Sequence, residues 1–78
     1  MYNRLSRGYS DIVKTKRGRY VLVDSRNTAD CGYETMVFNC NESGMVDNWL
    51  DIDVDRYPTY EDMTKGHVQM INKWKEHE

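Results

Sequence analysis

Three aspartates at a spacing of two, Asp51, Asp53 and Asp55, form the densest run of one chemical group in the chain, and Asp47 lies just before them. Carboxylates spaced this way suit calcium binding, acid–base catalysis or the imitation of phosphates. D-x-D-x-D opens a calcium loop, and Asp62 falls at the twelfth position of such a loop. Its sixth position must turn sharply on a glycine, yet here it is Arg56, and the eighth is Pro58. The same spacing fits a strand, where residues two apart stand ~6.5–7 Å apart on one face. That separation suits an acid pair, but acid–base groups need burial to tune their pKa values. An open strand supplies none. The pattern therefore points to a wet, strongly negative face suited to a cationic partner.

A second charged group has the opposite sign. Lys14, Lys16, Arg17 and Arg19 surround Gly18, with Tyr20 beside them. Such a basic turn can contact phosphate. It is equally an ordinary way to keep a sheet edge soluble. His67 falls on an apolar stripe, as a core histidine bonded to a neighbour does, and no Ser or Cys lies near it in a nucleophile motif. Cys31, Cys40, His67 and His77 lack the spacing of a zinc site. Cys31 and Cys40 bracket an extended stretch, which puts them roughly 30 Å apart. A disulfide needs Cα atoms within about 7 Å. Two reduced thiols suit a cytoplasmic protein. No glycine-rich phosphate loop or dinucleotide fingerprint is present, and no cofactor or metal is implied.

The elements that must carry these groups follow from periodicity. Residues 1–8 have no clear period and read as an N-terminal arm; 9–78 read as a single α+β domain. Tyr9 to Thr15, the turn at Lys16-Arg17-Gly18 and Tyr20 to Val23 predict a β-hairpin. Asp24 to Asp30 is polar and reads as a loop. Tyr33 to Phe38 predicts the next strand, and Asn41-Glu42-Ser43-Gly44 a turn. Met45 to Asp55 follows, with strict alternation from Leu50. Period two puts Leu50, Ile52 and Val54 toward the core and the three aspartates toward water. Thr59 is a good helix N-cap, with Glu61 and Asp62 in the first turn and Lys73 and Lys75 in the last. Tyr60, Met63, His67, Met70, Ile71 and Trp74 make one stripe of a helix over about residues 60–76. Gly66 inside it costs about 1 kcal/mol relative to Ala, which close approach of a neighbour would offset. The predicted fold is α+β: an antiparallel sheet of three to four strands packed against one C-terminal helix. The sheet's other face is left to water or a partner, and a homodimer is one way to cover it. Trp74 and Trp49 suit the core, whereas Tyr2, Tyr9 and Tyr57 are more than a small core needs, so some of them read as surface residues.

Size and composition bound the function. The chain has 78 residues, 38% of them hydrophobic and 31% charged, with a net charge of −2. A domain this short buries only about 60% of the surface its unfolded chain exposes. It has no room for separate cofactor and substrate domains. No apolar run approaches the ~18–20 residues of a membrane span, and residues 1–10 lack the apolar segment of a secretory signal. Residues 1–30 carry a net +4 and residues 31–78 a net −6. Either the two halves neutralise each other or the asymmetry marks a partner surface.

The spaced set YETMVF at 33–38, Gly44, Trp49, Arg56-Tyr57, Thr59, Gly66-His67 and Trp74 resembles a group of small proteins from tailed bacteriophages and prophages of Gram-positive bacteria. The resemblance spans about residues 32–75 and carries over no catalytic or binding residue. It implies a phage protein acting in the cytoplasm of a bacterial host. The expectation is a non-enzymatic binding protein that occupies a surface of a host protein, for instance as an inhibitor of a defence nuclease such as a CRISPR effector. Asp47, Asp51, Asp53 and Asp55 would then imitate phosphates in a basic channel. The alternatives are a nucleic-acid-binding accessory protein using Lys14, Lys16, Arg17 and Arg19, and a virion-assembly accessory protein. The overall negative charge weighs against direct nucleic-acid binding.

Overall fold

A computed structural model describes residues 8–28 and 32–77. The proposed arm at residues 1–8, apart from Gly8, lies outside the described residues, as do Tyr2 and Cys31. Four strands follow in order, β1 (Tyr9–Lys14), β2 (Tyr20–Thr28), β3 (Gly32–Cys40) and β4 (Asp53–Tyr57), and then one helix, α1 (Tyr60–Lys75). The strands form a single antiparallel sheet in the order β1-β2-β3-β4. The α+β fold is therefore the one the periodicity implies. No helix among the described residues is long and apolar enough to cross a membrane.

The β1–β2 hairpin turns where expected, with the Thr15 N–H donating to Arg19 O at 2.8 Å. β2 then runs further than its composition suggests. Asp24 to Thr28 is strand, not loop. The polar side chains there are matched across the sheet and along the strand: the Asp24 carboxylate accepts from Ser10 Oγ of β1 and from Arg26 Nε of β2 itself, and Ser25 Oγ bonds Thr35 Oγ1 of β3. Polar residues stay in a strand when each buried group has a partner.

Side chains alternate, so register decides which residues lie under the helix. Val13 pairs with Val21, Val23 with Val37, and Ser25 with Thr35, which puts the odd-numbered positions on the α1 side. Val13, Val21, Val23 and Val37 form the core with Met70 and Trp74, flanked by Ile71. Thr59 caps α1 by accepting the Asp62 N–H at 3.0 Å. The stripe is as predicted: Met63, Gly66, His67, Met70 and Trp74 are buried. Gly66 is there because the Tyr57 ring occupies the space of its missing Cβ. Tyr9 and Tyr57 are accordingly half-buried in the helix–sheet seam rather than surface residues.

The opposite face is only partly bare. The loop over residues 41–52 leaves the end of β3, bends at Gly44 (φ +88°) beside the Ile12 side chain, and sets Trp49 edge-on to Phe38 with ring centroids 5.0 Å apart. Phe38 is thereby buried while Trp49 itself stays out, so Trp49 is not a core residue.

Candidate protein-docking surface

The acidic run is where the structure departs most from the alternation rule. The strand starts at Asp53, not at Met45 or Leu50. Its pairing sets Asp53 opposite Val37 and Asp55 opposite Thr35, both of which are fully buried under α1. Paired residues share a face, so Asp53, Asp55 and Tyr57 point toward the helix side, and Val54 and Arg56 point away. The assignment of Leu50, Ile52 and Val54 to the core is corrected: Leu50 is 73% exposed and Ile52 37%. A slip of one residue in a period-two pattern exchanges the faces. Three contacts of the helix side favour this phase. Asp53 Oδ2 accepts from Trp74 Nε1 at 3.0 Å and Lys73 Nζ at 2.7 Å, and Tyr57 fills the Gly66 notch.

The four carboxylates therefore divide. Asp53 belongs to the fold. Burial raises its pKa, but the hydrogen bonds from Lys73 and Trp74 outweigh this and hold it below the ordinary carboxylate value. The same contact raises the Lys73 pKa. Asp47, Asp51 and Asp55 remain exposed. Neither Arg56 nor the basic hairpin neutralises the run. Arg56 pairs with Glu34 at 3.4 Å, and the hairpin lies at the opposite edge of the sheet.

What the sequence did not reveal is the company these acids keep. Met45 is 68% exposed and Trp49 68%, alongside Leu50. They alternate with Asp47 and Asp51 along one short segment. Its backbone is pinned at several points: Asn41 N–H to Met45 O (3.0 Å), Leu50 N–H to Asn48 Oδ1 (3.1 Å) and Ile52 N–H to Val37 O (2.7 Å). Asn41 Oδ1 also accepts from the Ser43 N–H and Met45 N–H. The legible signal was Asp47-Asn48, a turn-forming pair that interrupts any strand before Trp49. Large apolar side chains held out in water on a fixed backbone, with carboxylates between them, are the ingredients of an interface anchor with a charged rim.

The alternative basic patch is partly used up by the fold. Lys16 pairs with Glu76 at 3.0 Å, and its N–H donates to His77 O at 3.2 Å, docking the hairpin on the end of α1. Arg19 Nη2 donates to Asn39 Oδ1 at 2.6 Å, and Lys14 Nζ lies 5.9 Å from the Tyr20 ring centre. Arg17 is exposed.

His67 is buried, and a serine does stand beside it. Ser25 Oγ is 2.6 Å from His67 Nδ1, and His67 Nε2 is 2.8 Å from Asp11 Oδ2. Thr35 continues the chain from Ser25 at 2.5 Å. With Nε2–H donating to the Asp11 carboxylate, Nδ1 accepts from Ser25 and Ser25 from Thr35. β1, β2 and β3 are thus tied to the helix by one run of bonds. Ser25 and Thr35 are fully buried, so this Ser-His-Asp arrangement offers no oxygen to a substrate and acts as a polar seam. Compared with known proteins, the chain matches no family model, no curated protein and no solved structure.

Proposed function

We propose that the chain is a non-enzymatic, phage-type binding protein that occupies a basic surface of a bacterial host protein, in the host cytoplasm, through residues 45–55. The observation that carries this reading is the pinned segment in which Met45, Trp49 and Leu50 stand in water, with Asp47 and Asp51 interspersed and Asp55 following. A nucleic-acid channel offers the complementary chemistry: cations that hold phosphates and flat or apolar surfaces that hold bases. Carboxylates take the place of the phosphates, and Trp49 that of a base. A defence nuclease of the CRISPR type is a partner with such a channel. Because Asp53 is committed to α1, the mimic uses Asp47 and Asp51 beside Trp49, with Asp55 reached around the β4 edge on the helix side.

The test is a comparison of captured partners from host lysate. Wild type, a Trp49→Ala/Leu50→Ala variant and an Asp47→Asn/Asp51→Asn/Asp55→Asn variant serve as baits. A nucleic-acid-binding nuclease held by wild type, lost from the first variant and released from the second with loss of salt dependence supports the reading. The three acids make no ion pair among the described residues, so the triple variant keeps its melting temperature. Recovery of nucleic acid that depends on Lys14 and Arg17 would replace it with the nucleic-acid-binding alternative, and recovery of capsid or tail proteins with the virion-assembly one.

A further inference from the structure

We propose that the outer edge of β1 over Asp11–Lys14 and the C-terminal half of α1 form a groove that accepts an extended peptide of the pattern acid-x-apolar-x-basic as an added antiparallel strand. Asp11, Ile12, Val13 and Lys14 of β1, with Ile71 and Lys75 of α1, line a depression of about 310 Å³. That volume is at the lower end of what binding pockets enclose. Four consecutive residues of an edge strand along one wall are the geometry of strand addition, in which main-chain bonds give affinity and pockets read alternate side chains.

β1 is a usable edge. Among the described residues it pairs with β2 alone, through six consecutive partners from Tyr9↔Ser25 to Lys14↔Tyr20, without a bulge and without proline. Those are two of the devices that blunt an edge; a third, charge, is present as Asp11 and Lys14 and restricts which strand can be added. The other edge, β4, is shorter and is followed at once by Pro58.

The lining specifies the guest. Its middle is apolar, from the buried Val13 and the half-buried Ile71. Its ends have opposite charge. Asp11 lies at the His67 end and uses only Oδ2 in that contact among the described residues. Lys14 and Lys75 lie at the other end, where Lys16 meets Glu76 and His77. α1 and β1 therefore run in the same direction, with Asp11 the acid at one end and Lys75 the cation on the helix side at the other, Lys14 being an even-numbered residue of the opposite face. In an antiparallel guest the residue opposite Val13 faces α1, as do those two before and two after it. The first meets the Lys75 end and the last meets Asp11, so the guest reads acid, apolar, basic. A second copy of β1 does not supply this pattern. Its α1-side residues are Tyr9, Asp11 and Val13, with no cation to set against Asp11.

The test uses the capped peptide Ser-Glu-Thr-Val-Thr-Lys-Ser in a ¹⁵N–¹H titration of the full chain. The expected result is saturable shifts confined to residues 9–14 and 71–75. Exchanging Glu and Lys in the peptide weakens binding. Lys75→Glu, an exposed substitution, weakens binding of the original peptide by about fivefold, the size of one surface ion pair, and its own spectrum reports that it is folded. Alternate peptide amides face β1, so methylating either the valine amide or both threonine amides abolishes binding. Shifts on residues 41–52, no shifts at millimolar peptide, or binding indifferent to methylation would overturn the proposal. So would concentration-dependent shifts of β1 without peptide, which would make the occupant a second copy.

Discussion

Replacing the Asp53 carboxylate by an amide should weaken the domain at neutral pH and matter little in acid. Asp53 is the one member of the acidic run that accepts from the helix, through Trp74 Nε1 at 3.0 Å and Lys73 Nζ at 2.7 Å. The side chain of Asp53 is 20% exposed and that of Lys73 60%, so the ion pair itself contributes only about 0.2–1 kcal/mol. The larger effect is on Trp74, whose buried indole N–H loses its acceptor at a cost of about 1–3 kcal/mol. Asp53→Ala loses both contacts and should cost about 2–3 kcal/mol. Asp53→Asn retains a carbonyl acceptor for the indole and should cost about 1 kcal/mol. For a chain of this length each kcal/mol lowers the melting temperature by about 4–8 °C. The sign with pH follows from the lowered pKa of Asp53. A group whose folded pKa is depressed contributes above its unfolded pKa, and that contribution fades as pH falls through the folded value. The gap between wild type and Asp53→Asn should therefore be full at pH 7 and close as the pH falls below the ordinary carboxylate range and through the lower folded value. Urea melts at several pH values measure it. An Asp53→Ala protein as stable as wild type at pH 7, or a gap to Asp53→Asn that persists in strong acid, would refute the tether.

Two further outcomes probe the seam under α1. Ser25→Ala leaves His67 Nδ1 and the Thr35 hydroxyl short of a partner in a buried site and should cost about 1–3 kcal/mol by urea melt, while Ser25→Thr, an added methyl at a fully buried position, tests whether the oxygen alone suffices. Gly66→Ala would gain about 1 kcal/mol of helix propensity in an open helix. Here the new Cβ must displace the Tyr57 ring, so the variant should be less stable than wild type, and Tyr57→Ala in the same chain should restore part of the loss in a double-mutant cycle.

Much of the scaffold is legible in local chemistry. The helix from Tyr60 to Lys75 is written in its N-cap, its end charges and its stripe, because helical neighbours are fixed by a period within a single segment. The hairpin turn at Gly18 and the turn at Gly44 are likewise local. The β2 extension through Asp24 to Thr28 was not, since its polar side chains become strand-compatible only when Ser10 and Thr35 arrive from elsewhere in the fold.

The acidic site shows the same division at higher resolution. From the sequence alone came the presence of the carboxylates, their spacing of two and the strand on which two of them lie. Which face they take was decided by register against β3, and register depends on long-range contacts: Trp74 and Lys73 reaching Asp53, and Tyr57 reaching Gly66. A period-two pattern has two phases that differ by one residue, and apolar content alone favoured the wrong one. Leu50 and Trp49 stand in water because the chain bends at Asn48 and enters the sheet only at Asp53. His67 acquires Ser25 and Asp11 in the same way, across 42 and 56 residues of sequence. Type and spacing are properties of one segment, whereas a shared face or a hydrogen-bond chain is a property of several segments brought together.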